Sequence, residues 1–543
     1  MPKRTKSWSA LFALCLGFFM VMLDISIVNI AVPSMVRELG TDLTAVIWVT
    51  SVYLLAYAVP ILPASRLGDR FGPKRVFVAG LLVFTAASLW CGLSGDVETL
   101  IVARAVQGFG AALLTPQTTA FITHLFPPDE RGPAMGAWGS VAGLAMIAGP
   151  VLGGVLVDNF GWEWIFFANV PVGLVALVLT LVLVPDWRPG NSHRFDVPGI
   201  LLFGAGLVCV VFGIQNGQTY GWGTVGAGIS IFDIIVAGVL LLGGFVLWQL
   251  VNRREPLLPL RIFRHRDFSL GTASAVAVGF GMTSMLLLLV IYVQSVLGLS
   301  PAEAGLLIAP LALVSGGVAP FAGRLSDRVN PQYLLMFGLL CLSGGLCVLS
   351  LVIIPASSPQ ALIPALLLCG LGVGFTFSPM NNVTINSVDR SLVGSASGIF
   401  NTARQVGGVL GGAAVGVLLQ ARTSASMPVR ANEAAAALPA EFRQRFVSGF
   451  TGEAGSAAAA TEFGGSPAVP ADLPSEVAAQ ARELAAQITG AALTDAVKTA
   501  FLLPVGVLLL GLLCSAGLRG TRRGLPSPHD SRTDGRSEQL ERR

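Results

Sequence analysis

Two ionisable residues lie where hydrocarbon is expected. Asp24 falls in FFMVMLDISIVNIAVP, residues 18–33, inside an apolar run that begins near Leu11. Arg104 falls in LIVARAVQGFGAAL, followed by Gln107 and by Gly108 and Gly110. A charge at the centre of a membrane helix costs about 2.5 to 3.5 kcal/mol on insertion scales, so each residue calls for a partner or a task. At 1.5 Å per residue, Arg104 lies roughly 9 Å from the outer end of a descending helix, and Asp24 roughly 13 Å from the outer end of an ascending one. They share a depth. Burial opposes the charged acid while a nearby guanidinium favours it, so a ligand or a conformational change could decide whether the acid keeps a proton. A fixed structural ion pair is the other reading.

The elements that must position this pair follow from composition. Of 543 residues, 53% are hydrophobic and 12% charged, against about 25% charged in an average soluble protein. The charges cluster between apolar stretches of roughly 20 residues, each long enough to cross a bilayer as a helix. The expected fold is therefore an all-α polytopic membrane protein of fourteen transmembrane helices. The basic start MPKRTK precedes an apolar run that continues past Asp24 with no small-residue cleavage site, which reads as an uncleaved first span. With the N-terminus in the cytoplasm, the short inner loops carry fifteen Lys and Arg and the short outer loops only Arg37. Both termini are then cytoplasmic and the membrane is the cell's inner, or plasma, membrane.

An internal repeat organises the spans. ASRLGDRFGP (64–73) aligns with AGRLSDRVNP (322–331), and the same offset of 258 carries GPVLGG (149–154) onto GGVLGG (407–412). Two six-helix bundles are thus related, with two helices inserted between them. The expected units are residues 1–190, the inserted pair at 191–260, and a second bundle from 261–419 and 497–518. An Ala-rich loop at 420–496 lies on the outer side, and a charged tail at 519–543 faces the cytoplasm. The loop includes one amphipathic helix, either a solvated appendage or an element of access or partner binding. Related bundles that rock about a midplane site are a common transporter design.

Other motifs narrow the chemistry. RLGDRFGPKR makes a tight turn in which Asp69, Arg70 and Gly72 suit a gate, and Asp327 and Arg328 repeat it. Gly149, Pro150, Gly153 and Gly154 suit a pliable, closely packed helix. No nucleotide-binding G-x-x-x-x-G-K-[ST] is present, and the four histidines, His124, His193, His265 and His529, lie in loops or the tail without metal spacing. The seven cysteines read as apolar fillers. No cofactor, no metal, no nucleic-acid partner and no enzymatic activity are expected. Asn29, Trp48, Tyr53, Tyr57, Trp138 and Asn401 are candidates for a substrate cavity or, equally, for helix packing. Asp233 in the inserted pair is expected to face a helix partner or outer water.

LDISIVNIAVP, RLGDRFGPKR, RAVQGFGAA, GPVLGG, GWEWIFFANVPVG and SASGIFNTARQVGG, in this order, resemble the fourteen-span drug/proton antiporters of the major facilitator superfamily. The resemblance implies proton and substrate handling at Asp24 and proton coupling at Arg104. It also implies gating at Asp69, Arg70 and Gly72, and an exporter's signature at Gly149, Pro150, Gly153 and Gly154. Ala145, Ser65 and Pro73 depart from the usual motif residues. Spans two, ten and thirteen carry no acid beyond Glu303 at the very start of span ten, unlike some relatives that accept divalent cations. The expected function is proton-coupled export of neutral or monovalent cationic amphipathic drugs or antibiotics by alternating access, by a monomer in the lipid bilayer. The alternatives are a dedicated exporter or symporter of an endogenous metabolite or lipid, and a receptor or scaffold that uses the outer loop.

Overall fold

The computed structural model describes residues 2–127, 130–187, 196–226, 228–252, 256–326, 328–354, 357–385, 387–388, 393–448, 450 and 475–519. Helix α1 runs Pro2–Glu38, and Asp42 caps the next, α2 (Leu43–Ala58), by accepting from the Ala45 amide at 2.7 Å. Pro60 and Pro63 cannot continue the hydrogen-bond ladder, and the chain bends by 48° into the following segment. That segment, α3 (Ile61–Phe71), stops at Gly72, whose φ of +95° favours glycine, and Pro73 then opens α4 (Pro73–Gly92). Asp96 caps α5 (Val97–Leu125). Next come α6 (Arg131–Phe160), the short α7 (Trp164–Phe167) and α8 (Asn169–Leu183), whose last carbonyls, Leu181 and Val184, accept from Lys74.

The inserted pair is α9 (Val197–Asn216) and α10 (Ile231–Val251), joined through a short antiparallel pairing of Thr224–Gly226 with Ile229–Ser230. Asp233 lies in the first turn of α10, exposed, in a reciprocal cap with Ser230. It therefore serves a helix end and not the bilayer interior. The second bundle comprises α11 (Arg266–Ile291), α12 (Pro301–Ser326), α13 (Pro331–Val352), α14 (Ile363–Ile385), α15 (Val393–Ala435) and the last helix, with the short α16 (Ala440–Ser448) before it. That last helix, α17, is Ser475–Ala516. Among the described residues twelve helices are long and apolar enough to cross a membrane, and the bent α2–α3 pair makes a thirteenth. The 30-residue α6 stands where the fifth span was expected.

The repeat is visible in the packing. In the first bundle α1 meets α6 and α8, α2 meets α5, and α4 meets α5 and α8. In the second, α11 meets α15 and α17, α12 meets α14, and α13 meets α14 and α17, which is the same set shifted by the repeat. The two bundles join through α6 against α12 and α2 against α15, contacts that a two-fold exchange of the halves interconverts. The largest buried cluster runs through both halves, from Ile27–Val36 of α1 to Met285–Val293 and the helices around them. The inserted α9 lies against α2 and α15, so one of the two seams is covered and the α6–α12 seam is not covered by it. Gln215 of α9 donates to Ser51 of α2 at 2.8 Å.

Asp196 ties the two inserted helices to each other and to the segment that follows them. It accepts from Trp248, from Gln249 and from the Leu257 amide while capping α9 through Gly199. Burial pushes its carboxyl up, but these hydrogen bonds outweigh that and hold it below the usual carboxylate range.

The expected loop at 420–496 is, where described, largely helical. Residues 420–435 continue α15 and residues 475–496 begin α17, and with α16 they form a small separate core around Met427, Phe446 and Ile488. Alanine explains the difference: its high helix propensity extends a helix past the point where apolarity ends.

Candidate functional site

The Gly-rich face of α6 sets how closely α1 can approach it. A Cβ on Gly149 would overlap the Ser26 hydroxyl, and one on Gly153 would overlap Ile27. Ser26 uses that space to donate to the Ala145 carbonyl at 3.1 Å. One residue on, Gly154 faces the Pro301 carbonyl, and Gly305 of α12 faces Pro150, so the backbones of the two halves touch where side chains would hold them apart. Asp158 completes the contact by accepting from the Ala302 amide at the start of α12, at 3.0 Å.

With α1 held there, Asp24 points into the first bundle. Arg104 Nη1 donates to Asp24 Oδ2 at 2.5 Å, and both side chains are fully buried. Gln107, one turn from Arg104 on α5, donates to Asp24 Oδ1 at 3.0 Å and accepts from Arg104 Nη1 at 2.7 Å. Asn169, the first residue of α8, donates to Asp24 Oδ1 at 3.1 Å. Ser88 of α4 accepts from Gln107 and Asn169 and donates to the Phe166 carbonyl at 2.9 Å. Arg104 Nε reaches the Val49 carbonyl of α2 at 3.2 Å, and its Cζ lies 3.9 Å from the centre of the Tyr53 ring. Five elements, α1, α2, α4, α5 and α8, thus converge on one carboxylate. The Tyr53 hydroxyl and Arg104 Nη2 have no hydrogen-bond partner among the described residues.

The other candidates divide. Asn29 lines a pocket between the halves, with Thr50 and Leu54 of α2, Thr283 of α11, and Gly408 and Gly412 of α15. Tyr57 stands beside Tyr53, ring centres 6.2 Å apart, and its hydroxyl meets Thr115 at 2.9 Å. Trp48 leaves the cavity set: its ring packs on Phe212 of the inserted α9. Trp138 stacks on Phe18 at 4.6 Å, a contact between α6 and α1. Asn401 turns back to the Ser397 carbonyl of its own helix. Asp69 and Arg70 occupy the last turn of α3, and Arg66 one turn earlier donates to the Pro256 carbonyl at 2.6 Å, tying the turn to the chain after the inserted pair. Arg328 is exposed just after α12, and Asp327 lies outside the described residues.

Sequence reasoning missed three polar contributors. Ser88 and Asn169 are small polar residues in apolar spans, and only their place in the Asp24 network distinguishes them. Arg404 of α15 is a second arginine inside a span, hidden within SASGIFNTARQVGG, and no acid is paired with it among the described residues.

The Major Facilitator Superfamily model matches residues 14–412. The chain belongs to the major facilitator superfamily. It is 46% identical to an uncharacterised MFS-type transporter of Mycobacterium tuberculosis, over 78% of this chain and 72% of that one. It is 36% identical to the tetracenomycin C resistance and export protein of Streptomyces glaucescens, over 79% of each chain. The puromycin resistance protein of Streptomyces alboniger is also 36% identical, over 78% of this chain and 83% of that one. A bacterial homologue of the lysosomal transporter Spinster, solved inward-facing and unoccupied, superposes with a TM-score of 0.61 at 17% identity, covering 96% of this chain and 99% of that one. That likeness shows the shared fold. As a superfamily member with this many spans, the protein is an integral membrane transporter and not an enzyme.

Proposed function

We propose that the protein is a proton-coupled antiporter that exports amphipathic small molecules across the plasma membrane by alternating access, as a monomer with both termini in the cytoplasm. The observation that carries the coupling is the buried Asp24–Arg104 pair, which bonds α1 directly to α5 and α8 and, through Arg104 and Gln107, reaches α2 and α4. Ionised Asp24 binds Arg104, Gln107 and Asn169 at once. A proton on Asp24 removes the counter-charge of Arg104 and weakens the hold of α1 on α5 and α8. Helix α1 also carries the seam, through Ser26 against α6 and through the Ile30 carbonyl, which accepts from Gln294 beyond α11 at 3.0 Å. Protonation inside the first bundle thereby changes the packing between the halves, while the α3 turn at Asp69, Arg70 and Gly72 serves as the gate on the N-terminal side. The export direction is supported by the Gly149–Gly154 motif and by relatives named for tetracenomycin C export and puromycin resistance. The pocket beside Asn29 is the place for substrate, and no organic cofactor is needed because the proton supplies the drive.

The test is transport in vesicles of purified protein. An imposed pH gradient is expected to move tetracenomycin C, and Asp24→Asn to abolish gradient-driven movement. Unimpaired gradient-driven transport by Asp24→Asn defeats the coupling role.

A further inference from the structure

Arg404 is the unexplained charge of this molecule. It sits in the spanning part of α15, half-buried, its Nε is buried without a hydrogen-bond partner, and its guanidinium makes no ion pair among the described residues. Its surroundings are aromatic: Cζ is 5.3 Å from the centre of the Phe377 ring of α14, and Tyr57 of α2 faces it from the other bundle. Arginine this deep in a membrane protein faces a bundle interior or cavity and pairs with something.

Its position relative to the pocket says what it pairs with. On α15 the pocket is lined by Gly412 and Gly408, and Arg404 follows at the same helical spacing of four. On α2 it is lined by Thr50 and Leu54, and Tyr57 follows on the same face. Both helices therefore carry the lining toward the guanidinium, at the end of the pocket nearer the N-terminus of α1. The pocket is an open cleft whose lining is mixed, aliphatic at Val32 and Leu287 and polar at Asn29, Thr50 and Thr283. Charge arithmetic points the same way. Asp24 is balanced by Arg104, so among the described residues the core between the bundles carries the uncompensated positive charge of Arg404, which repels an entering cation.

We propose that Arg404 anchors an oxyanion on the transported molecule, an ionised phenol, enol or carboxylate borne by an aromatic body that lies against Phe377 and Tyr57. The site then selects aromatic acids over cationic amphiphiles, which replaces the expected preference for neutral or singly charged cations. The proposal rests on the transporter reading of the pocket but not on proton coupling.

Equilibrium binding to detergent-purified protein, with no gradient present, tests it. The probes are resorufin, a planar phenolate at mildly alkaline pH, and ethidium, a planar monovalent cation. Wild-type protein is expected to bind resorufin more tightly than ethidium. Arg404→Gln is expected to weaken resorufin by about tenfold or more, as loss of a charge-assisted bond implies, and to leave ethidium unchanged or tighter. Arg404→Lys, which keeps the charge but not the planar fork, should fall between. Because the guanidinium has no ion-pair partner among the described residues, the Gln variant should keep its thermal stability. Tighter binding of ethidium than of resorufin by the wild type, binding of neither dye, or equal effects of Arg404→Gln on both overturns the proposal. Loss of gradient-driven transport with this binding pattern intact counts against proton coupling alone.

Discussion

Arg104→Gln should be far more damaging alone than together with Asp24→Asn. In the wild type the Asp24 carboxylate accepts three hydrogen bonds, one of them from Arg104 at 2.5 Å, with no exposure to solvent. Arg104→Gln leaves a buried carboxylate with Gln107 and Asn169 but no counter-charge, and breaking a buried pair from one side costs about 3–5 kcal/mol. It also removes the side-chain donor that the Val49 carbonyl has beside its helical bond. Asp24→Asn leaves the converse, a guanidinium held by Gln107, the Val49 carbonyl and the Tyr53 face but facing an amide. The double variant has no net buried charge, and an Asn–Gln pair can restore one neutral hydrogen bond. Its loss should be about 1–2 kcal/mol, so the double-mutant cycle should return a coupling energy of at least about 2 kcal/mol. Unfolding free energies in mixed micelles give the four corners of the cycle. If the two single losses add in the double variant, or if each is below about 1 kcal/mol, the pair does not hold the bundle together and the mechanism drawn from it fails.

Three further outcomes follow from other contacts. Gly149→Ala places a methyl on Ser26 and should cost about 1–3 kcal/mol and impair transport, with Ser26→Gly restoring much of both; no rescue would mean that the α1–α6 contact is not the cause. Asp196→Ala leaves the donors of Gln249, Trp248 and Leu257 without their acceptor and should lower stability by about 1–3 kcal/mol. Because the folded carboxyl is held below its ordinary range, the wild-type contribution is complete above that range and is lost as pH falls through the lowered value. The difference between wild type and variant, followed by acid unfolding, should therefore shrink only in strong acid. Phe446→Ala should open the small core of α15, α16 and α17 to protease, a buried Phe→Ala loss being about 3–5 kcal/mol, while transport by the main bundles persists; lost transport would give the hairpin an essential role.

How much of this was readable from residue order depends on what each feature needs. The bundle repeat needed only a shared register, and R-L-x-D-R supplied it. Asp24 and Arg104 needed only depth, because both are rare charges in apolar helices and helical rise converts position to depth. The rest of their network needed lateral neighbours. Ser88 and Asn169 lie on helices whose rotation about their own axes is set by packing, which an apolar stretch with no polar face does not encode. Trp48 stood open between cavity and packing for the same reason: nothing in α2 indicates that α9 covers that face. Residues 475–496 were legible as an amphipathic helix, but 420–435 looked like loop because spans were bounded by hydropathy, whereas alanine carries helices beyond the bilayer. Arg404 escaped notice because a search for acids ignores a cation without one.

The charge asymmetry between the bundles bears on energetics as well as recognition. The repeat places Met282 opposite Asp24 and Met146 opposite Arg404, so a symmetric scaffold carries a neutral pair in one half and a bare cation in the other. Export of a monovalent anion in exchange for one proton moves two charges in the direction favoured by a negative cell interior. Each is worth about 2.3 kcal/mol per 100 mV, so about 4.6 kcal/mol together, or roughly three decades of substrate gradient. One-for-one exchange of a monovalent cation would move none. In vesicles oriented so that export fills the lumen, a valinomycin potassium potential, lumen positive, without a pH gradient should therefore drive resorufin inward through wild-type protein, and Arg404→Gln should diminish that uptake. Resorufin transport that responds to a pH gradient but not to potential would refute the count of charges and with it the anionic form of the substrate.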